Sequence, residues 1–316
     1  MSARVYCPHC ITPCLVADEH LGGAVRCHKC GQSFTANAVT QTELPSTEPI
    51  PATAGVLRLG IAGVTSAGKK YVRNEDSFLI QQLTWFENQN YQLALIIVAD
   101  GVGGHSAGDV AARLVIRSVG NSLAPILSGA LSGKFDNVTR RGLAASIETA
   151  MKNANEVVQR EAAKNAHFKG MGATAAVVVI WNGRVVIGHV GDCRVYHYHA
   201  GALTQVTKDQ TLVGRMVELG QLTPEEARTH PARNQVSQAI GARTALEPAH
   251  YKLKLVPGDW LLVACDGLHS QVDDQVIGAT IKKAPPSAYL LTSRLVEMAN
   301  QSGGKDNCTV VSVRCY

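Results

Sequence analysis

The sequence is short of charge for its 316 residues: Asp, Glu, Lys and Arg make up 17% of it, the net charge is +5, and no run of five Lys and Arg occurs. That balance gives no electrostatic reason to expect nucleic acid as a partner. The opening MSARVYCPHC lacks the apolar stretch of a secretory signal, and no apolar run approaches the roughly 20 residues needed to span a bilayer. A cytoplasmic protein without a membrane partner is the expectation. No internal repeat at a period of about 20 to 50 residues is present, which argues against a solenoid or propeller. An apolar content of 46% suits an ordinary globular protein, and the length allows one domain of about 250 residues with a small appendage.

The nine cysteines are unevenly placed. Cys7, Cys10, Cys14, Cys27 and Cys30 crowd the start, while Cys193, Cys265, Cys308 and Cys315 are scattered. An odd, clustered set suits a local metal knot better than a disulfide framework. Cys7-Pro-His-Cys10 and Cys27-His-Lys-Cys30 are two C-x2-C pairs, the donor set of a tetrahedral structural Zn2+, with a redox pair as the alternative. A head of about 35 residues buries too little core to fold unaided, so one zinc would supply its stability. His9, His28 and Cys14 lie close by and read as bystanders. The segment resembles short bacterial zinc ribbons. Its three basic and two acidic residues favour docking to protein over clamping of DNA. Residues 36–55, with Pro45, Pro49 and Pro51 among Thr, Ser and Glu, read as a linker. The expected organisation is a zinc ribbon over 1–35, a linker over 36–55 and a main domain over 56–316.

In the main domain, apolar runs bounded by turn residues recur at VLRLGIAGV, SFLIQQL, YQLALIIVAD, ATAAVVVIW, RVVIGHVGD, CRVYHYH, YKLKLV, DWLLVACD and CTVVSVRC. Asn182-Gly183 is a hairpin signal and Ala200-Gly201 a weaker one. Helical periodicity covers 107–127 and 142–166, and returns in PSAYLLTSRLVEMANQ. Hairpin-linked strands with helices inserted in pairs predict an antiparallel α+β layered fold.

The run LALIIVA ends in Asp100, followed by three glycines within four residues. Asp100 alone could be a capping residue of a strand-to-helix turn. It has company, however. Asp192 follows RVVIGHVG, Asp266 follows DWLLVAC, Asp306 precedes CTVVSV, and Glu75-Asp76 precede SFLIQQL. Acids at so many strand ends would repel one another on converging, and cations are the remedy. Carboxylate and carbonyl oxygens suit Mg2+ or Mn2+, and two such ions can activate a water for displacement at phosphorus.

NEDSF, VADGVGGH, MGATAAVV, GHVGDCRVY, VACDGL and GGKDNCTVV, in that order, resemble the PPM (PP2C-like) metal-dependent Ser/Thr protein phosphatases, especially bacterial ones, across nearly all of 58–315. The resemblance implies a four-layer αββα sandwich, two mainly antiparallel sheets flanked by helices. It implies hydrolysis of phosphoserine and phosphothreonine by a water activated at two Mn2+ or Mg2+ ions, with a weaker third site in some members. Asp100 would bridge the ions, with the Gly101 carbonyl and Glu75 on one of them and Asp76 close behind. Asp266 and Asp306 would hold the other, Asp192 and Asp266 the third, and Asn307 would orient Asp306. Two positions depart from the family. Val102 stands where some members carry a histidine acid, leaving protonation of the leaving group to water. Tyr71 stands at the usual phosphate-binding arginine, with Arg73 as the substitute and Lys69 and Lys70 behind it.

The implied partners are phosphoproteins made by a bacterial Ser/Thr kinase, met by a monomer. The rival possibility is a phosphoprotein-binding scaffold of weak turnover. Residues 208–243 resemble the mobile flap segment and the stretch following it in bacterial relatives; there Thr223-Pro224-Glu225-Glu226 reads as a helix start and His230 and Arg233 as solvated surface. His197 and His199 are expected on one polar face, Asp259 as a turn residue, and His269 as packing.

Overall fold

The computed structural model describes residues 2–6, 13–20, 23–35, 57–86, 90–102, 107–131, 140–242 and 245–316. The chain divides into two compact units, Met1–Gly55 and Val56–Tyr316. In the first, β1 (Ser2–Tyr6) pairs antiparallel with β2 (Pro13–Ala17), and β3 (Ala24–Arg26) with β4 (Ser33–Thr35). Cys7, Cys10 and the expected linker at 36–55 fall outside the described residues.

In the second unit every apolar run singled out in the sequence forms a strand. They are β5 (Leu59–Ser66), β6 (Ser77–Phe86), β7 (Asn90–Val102), β8 (Gly172–Trp181), β9 (Arg184–Val190), β10 (Arg194–His199), β12 (Ala249–Lys254), β13 (Trp260–Ala264) and β14 (Cys308–Cys315), joined by the short β11 (Ala202–Gln205). Two five-stranded antiparallel sheets result, in the orders β12-β9-β8-β7-β6 and β11-β10-β13-β14-β5. Both proposed turns are tight hairpins. Asn182 and Gly183 have φ of 44° and 78°, and Ala200 and Gly201 have 48° and 88°, the left-handed pair that matches strand twist.

The helices are α1 (Gly108–Ala130), α2 (Arg140–Lys164), α3 (Leu212–Glu218), α4 (Pro224–Thr229), α5 (Asp266–His269), α6 (Asp274–Lys283) and α7 (Ala288–Gln301). Three apolar cores separate four layers. Alternate residues of β7 divide between two of them. Leu93, Leu95, Ile97 and Ala99 pack with α1 and α2, whereas Ala94, Ile96 and Val98 pack between the sheets. This period of two explains why the run is apolar throughout. The third core joins Leu262, Ala264 and Val310 of the second sheet to Ile277, Leu291 and Leu295 of α6 and α7. α1 is long and apolar enough to cross a membrane, an exception to the expectation from sequence. Here Ala111, Ala112, Val115, Val119 and Leu123 of that helix are buried in the first core.

α4 begins as its sequence predicts. The Thr223 hydroxyl accepts from the Glu226 N–H at 3.2 Å while the Glu226 carboxylate accepts from the Thr223 N–H at 2.8 Å.

Candidate active site

Antiparallel pairing puts the end of one strand beside the start of the next, which is what gathers the acids. Asp100, near the end of β7, pairs with Thr174 at the start of β8. Asp76 immediately precedes β6, whose first residue Ser77 pairs with Ala99. Asp192 lies in the turn from β9 to β10, Asp266 opens α5 just after β13, and Asp306 lies just before β14. All five therefore sit on one edge of the sandwich. Asp100 continues the row of Ala94, Ile96 and Val98, so it ends the face that looks between the sheets.

Ligand atoms of Asp76, Asp100 and Cys265 all lie within 4.8 Å of one another. Burial lifts the Asp100 carboxyl well above its ordinary value, and the charges of Asp76, Asp266, Asp192 and Asp306 lift it further. Asp266 is raised in the same way, by burial first and then by Asp192, Asp306 and Asp76. Asp76 is pushed up to about 6 by burial, against hydrogen bonds from Thr309 and Cys265. Asp192 also reaches about 6, through burial and then the charge of Asp209. Burial is again the first cause at Glu75, followed by Asp109 and Asp306. Such a constellation holds its negative charge at neutral pH in the company of cations.

Three features fit a hard divalent pair. The carboxylates supply oxygen donors alone. Asp76 Oδ1 is buried with no hydrogen-bond partner, while its Oδ2 accepts from the Thr309 hydroxyl at 2.7 Å and the Cys265 thiol at 3.1 Å. Gly101 leaves room for its own backbone, since a Cβ there would lie 2.7 Å from the Glu75 carbonyl oxygen and against the Gly108 carbonyl. Residues 103–106, with the remaining glycines and His105, are outside the described residues.

Asn307, expected to orient Asp306, meets it through the backbone and reaches further with its side chain. Its backbone N–H donates to Asp306 Oδ1 at 2.8 Å. Its side chain accepts from the Glu75 N–H at 2.8 Å and donates to the carbonyls of Ala67 at 2.9 Å and Arg73 at 3.1 Å, tying the Glu75 segment to the Asp306 loop. His269, expected as packing, has Nε2 3.2 Å from the carbonyl of Asp192 and so braces that turn. Gln210, in the segment after β11, braces it too, accepting from the Gly191 N–H at 2.8 Å.

Exposed Arg73 acts electrostatically on Glu75, and Lys70 on Asp306, so both cations border the acid cluster. Lys70 Nζ is 3.3 Å from the Tyr71 hydroxyl and 5.0 Å from the centre of its ring. Arg194 is committed elsewhere, its guanidinium forked onto Asp209 at 2.7 and 3.0 Å. Its pairing outweighs burial and holds Asp209 below the usual carboxylate range.

Cys265, Thr309 and Asp109 are part of this site and were not singled out from sequence. Asp109 had one signal, an acid in the first turn of a helix that follows VADGVGGH. His230 Nδ1 accepts from the Ala232 N–H at 3.1 Å and Arg233 is exposed, as surface residues do. In the first unit, Cys27 is buried and Cys30 exposed, and the Cys27 thiol accepts from the Lys29 N–H at 3.4 Å. Cys14 Sγ lies 3.8 Å from His28 Nδ1.

A putative protein phosphatase 2C-type of Streptococcus pyogenes serotype M6 is 32% identical over 249 residues, 79% of this chain and 94% of that protein. The solved serine/threonine phosphatase of S. agalactiae superposes with a TM-score of 0.70 at 31% identity, covering 81% of this chain and 99% of that one. The catalytic domain of the serine/threonine protein phosphatase PstP, solved in complex with 2 manganese ions, gives 0.64 at 31% identity and covers 82% and 99%. The protein phosphatase 2C family model matches residues 65–302. That match runs from the last residues of β5 to the end of α7, and the chain therefore belongs to the protein phosphatase 2C family.

Proposed function

We infer that this chain hydrolyses phosphoserine and phosphothreonine in proteins with Mn2+ or Mg2+ as cofactor. The observation that carries it is the convergence of Asp76, Asp100, Asp192, Asp266 and Asp306 on one edge of the sandwich, each with a carboxyl raised first by burial. Asp100, Asp266, Asp306, Glu75 and the Gly101 carbonyl would hold two ions, with Asp192 and Asp266 offering a third, weaker place. Such ions lower the pKa of a shared water and neutralise charge on a phosphate.

The chain's own groups set the rest. Thr309 and Cys265 fix one oxygen of Asp76 and leave the other, which is buried, without a hydrogen-bond partner. Lys70 and Arg73 provide the positive rim on which phosphate oxygens settle, in place of the arginine that Tyr71 displaces. Tyr71 and Val72, both exposed, give the flanking peptide an apolar surface beside that charge.

The head is read as a zinc ribbon held by Cys7, Cys10, Cys27 and Cys30 that docks protein partners. The turn at Cys27 supports it, since a backbone N–H aimed at sulfur stabilises a thiolate. The substrates belong with a bacterial Ser/Thr kinase, whose products this chemistry reverses.

The test is a phosphothreonine peptide. Full-length protein should turn it over in Mn2+, stop in EDTA and resume on readdition. Asp266→Asn should lose turnover by about 100-fold or more with an unchanged circular dichroism spectrum. Turnover that survives EDTA, or survives this substitution, would remove the assignment.

A further inference from the structure

At the opposite edge of the sandwich from the acids lies a second cluster of ligating side chains. β10 begins at Arg194, near the acid cluster, and ends at His199. His197 and His199 share a face, as alternation requires; it continues the face of Val195, which packs between the sheets, but at this end it opens to solvent, with His197 half-buried and His199 exposed. Their partner is Asp259, a turn residue whose side chain does more than turn the chain. His197 Nε2 is 2.9 Å from Asp259 Oδ2, and His199 Nδ1 is 2.7 Å from Asp259 Oδ1. The two imidazole rings stack with centres 5.6 Å apart. One ligand atom from each of the three residues lies within 4.8 Å of the other two.

The carboxylate is held rigidly. Its side chain is 3% exposed, and Oδ2 also accepts from the Val256 N–H at 3.0 Å. Its backbone carbonyl accepts from the Cys315 N–H at 3.0 Å, and its N–H donates to the Val256 carbonyl at 3.1 Å, fixing the residue to the edge of β14. Among the described residues, its ion-pair partners are the two imidazoles alone. His199, with 57% of its side chain exposed, leaves an entry path.

We propose that His197, His199 and Asp259 form a binding site for one divalent transition cation of the nitrogen-preferring class, such as Zn2+ or Ni2+. Two imidazoles and a carboxylate select such ions over Mg2+ or Ca2+, which favour all-oxygen shells. Ligands about 2.1 Å from a tetrahedral ion stand about 3.4 Å from one another, whereas the imidazole nitrogens lie 2.9 and 2.7 Å from separate Asp259 oxygens, so with the carboxylate spanning the ion the contacts would open by about 0.5 and about 0.7 Å as it replaces the bridging protons. Water would complete the shell on the exposed His199 side. The ion would clamp the end of β10 to the turn at 256–259, and it would differ in chemistry and place from the ions of the acid cluster.

Trp260, next in the chain to Asp259, supplies the readout. Full-length protein in excess Mn2+, which occupies the acid cluster, is titrated with Ni2+ while tryptophan emission is followed. A saturable quench with one equivalent is expected. In His199→Ala it should require at least tenfold more Ni2+, while phosphatase turnover in Mn2+ stays unchanged because that exposed side chain is remote from the acids. His197→Gln, which keeps polar bulk at the half-buried position, should weaken it likewise. Zn2+ added first should abolish the quench in the native chain. An identical quench in native protein and His199→Ala, or no saturable quench in either, would overturn the proposal.

Discussion

Asn307 shows how a single side chain can hold a site it does not enter. Three hydrogen bonds at its amide, one accepted from Glu75 and two donated to Ala67 and Arg73, join that segment to the loop of Asp306, so the acids of two distant sequence regions keep a fixed separation. Asn307→Ala should leave the cores intact and lower metal affinity and turnover by about 10- to 100-fold, as the loss of outer partners of metal ligands does. Turnover measured across a Mn2+ titration checks it, and excess Mn2+ should recover part of the loss. GGKDN marked this asparagine in the sequence, but its bonds to Ala67 and Arg73 were invisible there. They join residues more than two hundred positions apart. The contacts of Thr309 and Cys265 with Asp76, and of Asp259 with two histidines, were equally invisible, since each joins residues remote in the sequence. A motif names residues that face a site, whereas contacts from beneath come from strands whose own sequence looks like plain core.

The junction of β7 with α1 works as one element. Gly101 and Gly108 let strand end and helix start pass each other, and a Cβ on Gly108 would meet the Glu75 carboxylate and lie 2.8 Å from the Gly101 oxygen. Gly101→Ala should force the two backbones apart and shift the Gly101 carbonyl that we propose as a cation ligand. We expect turnover to fall by about 100-fold or more while helix content is retained, measured by peptide hydrolysis beside circular dichroism. Strands of this kind were legible because burial on two faces makes them apolar without a break. β11, with only four residues and an exposed alternate face, gave no such signal. α6 also escaped notice, since its buried residues are two isoleucines spaced four apart among polar neighbours. The hairpin at Ala200-Gly201 proved as tight as the one at Asn182-Gly183, although alanine seldom adopts positive φ.

For the molecule as a whole, the acid cluster couples stability to pH. Asp76 and Asp192 are raised to about 6, and Asp100 and Asp266 well above their ordinary value, with burial the first cause in each. A carboxyl raised in the folded state contributes stability below its unfolded value near about 4, and that contribution is lost as pH rises through the folded value. The metal-free protein should therefore lose Tm between about pH 5 and about pH 7, and Mn2+ should restore more at the higher pH, where the site is ionised. Thermal melts in EDTA and in Mn2+ at both pH values measure it. Equal gains at the two would show that these carboxyls are not the cation ligands. The layered fold itself was legible from strand and hairpin spacing. The assignment of strands to two separate sheets came from the family resemblance, because pairings such as β5 with β14 span most of the chain.

That last pairing has a geometric consequence. Arg58 and Tyr316 exchange backbone hydrogen bonds at 3.2 and 2.9 Å, so the catalytic unit begins and closes at one seam in the sheet. Its polypeptide is topologically almost a ring. A short bridge across the seam, with new ends opened at a surface turn such as Gly220, would preserve every ladder, and the head could then be grafted at a chosen point on the circumference.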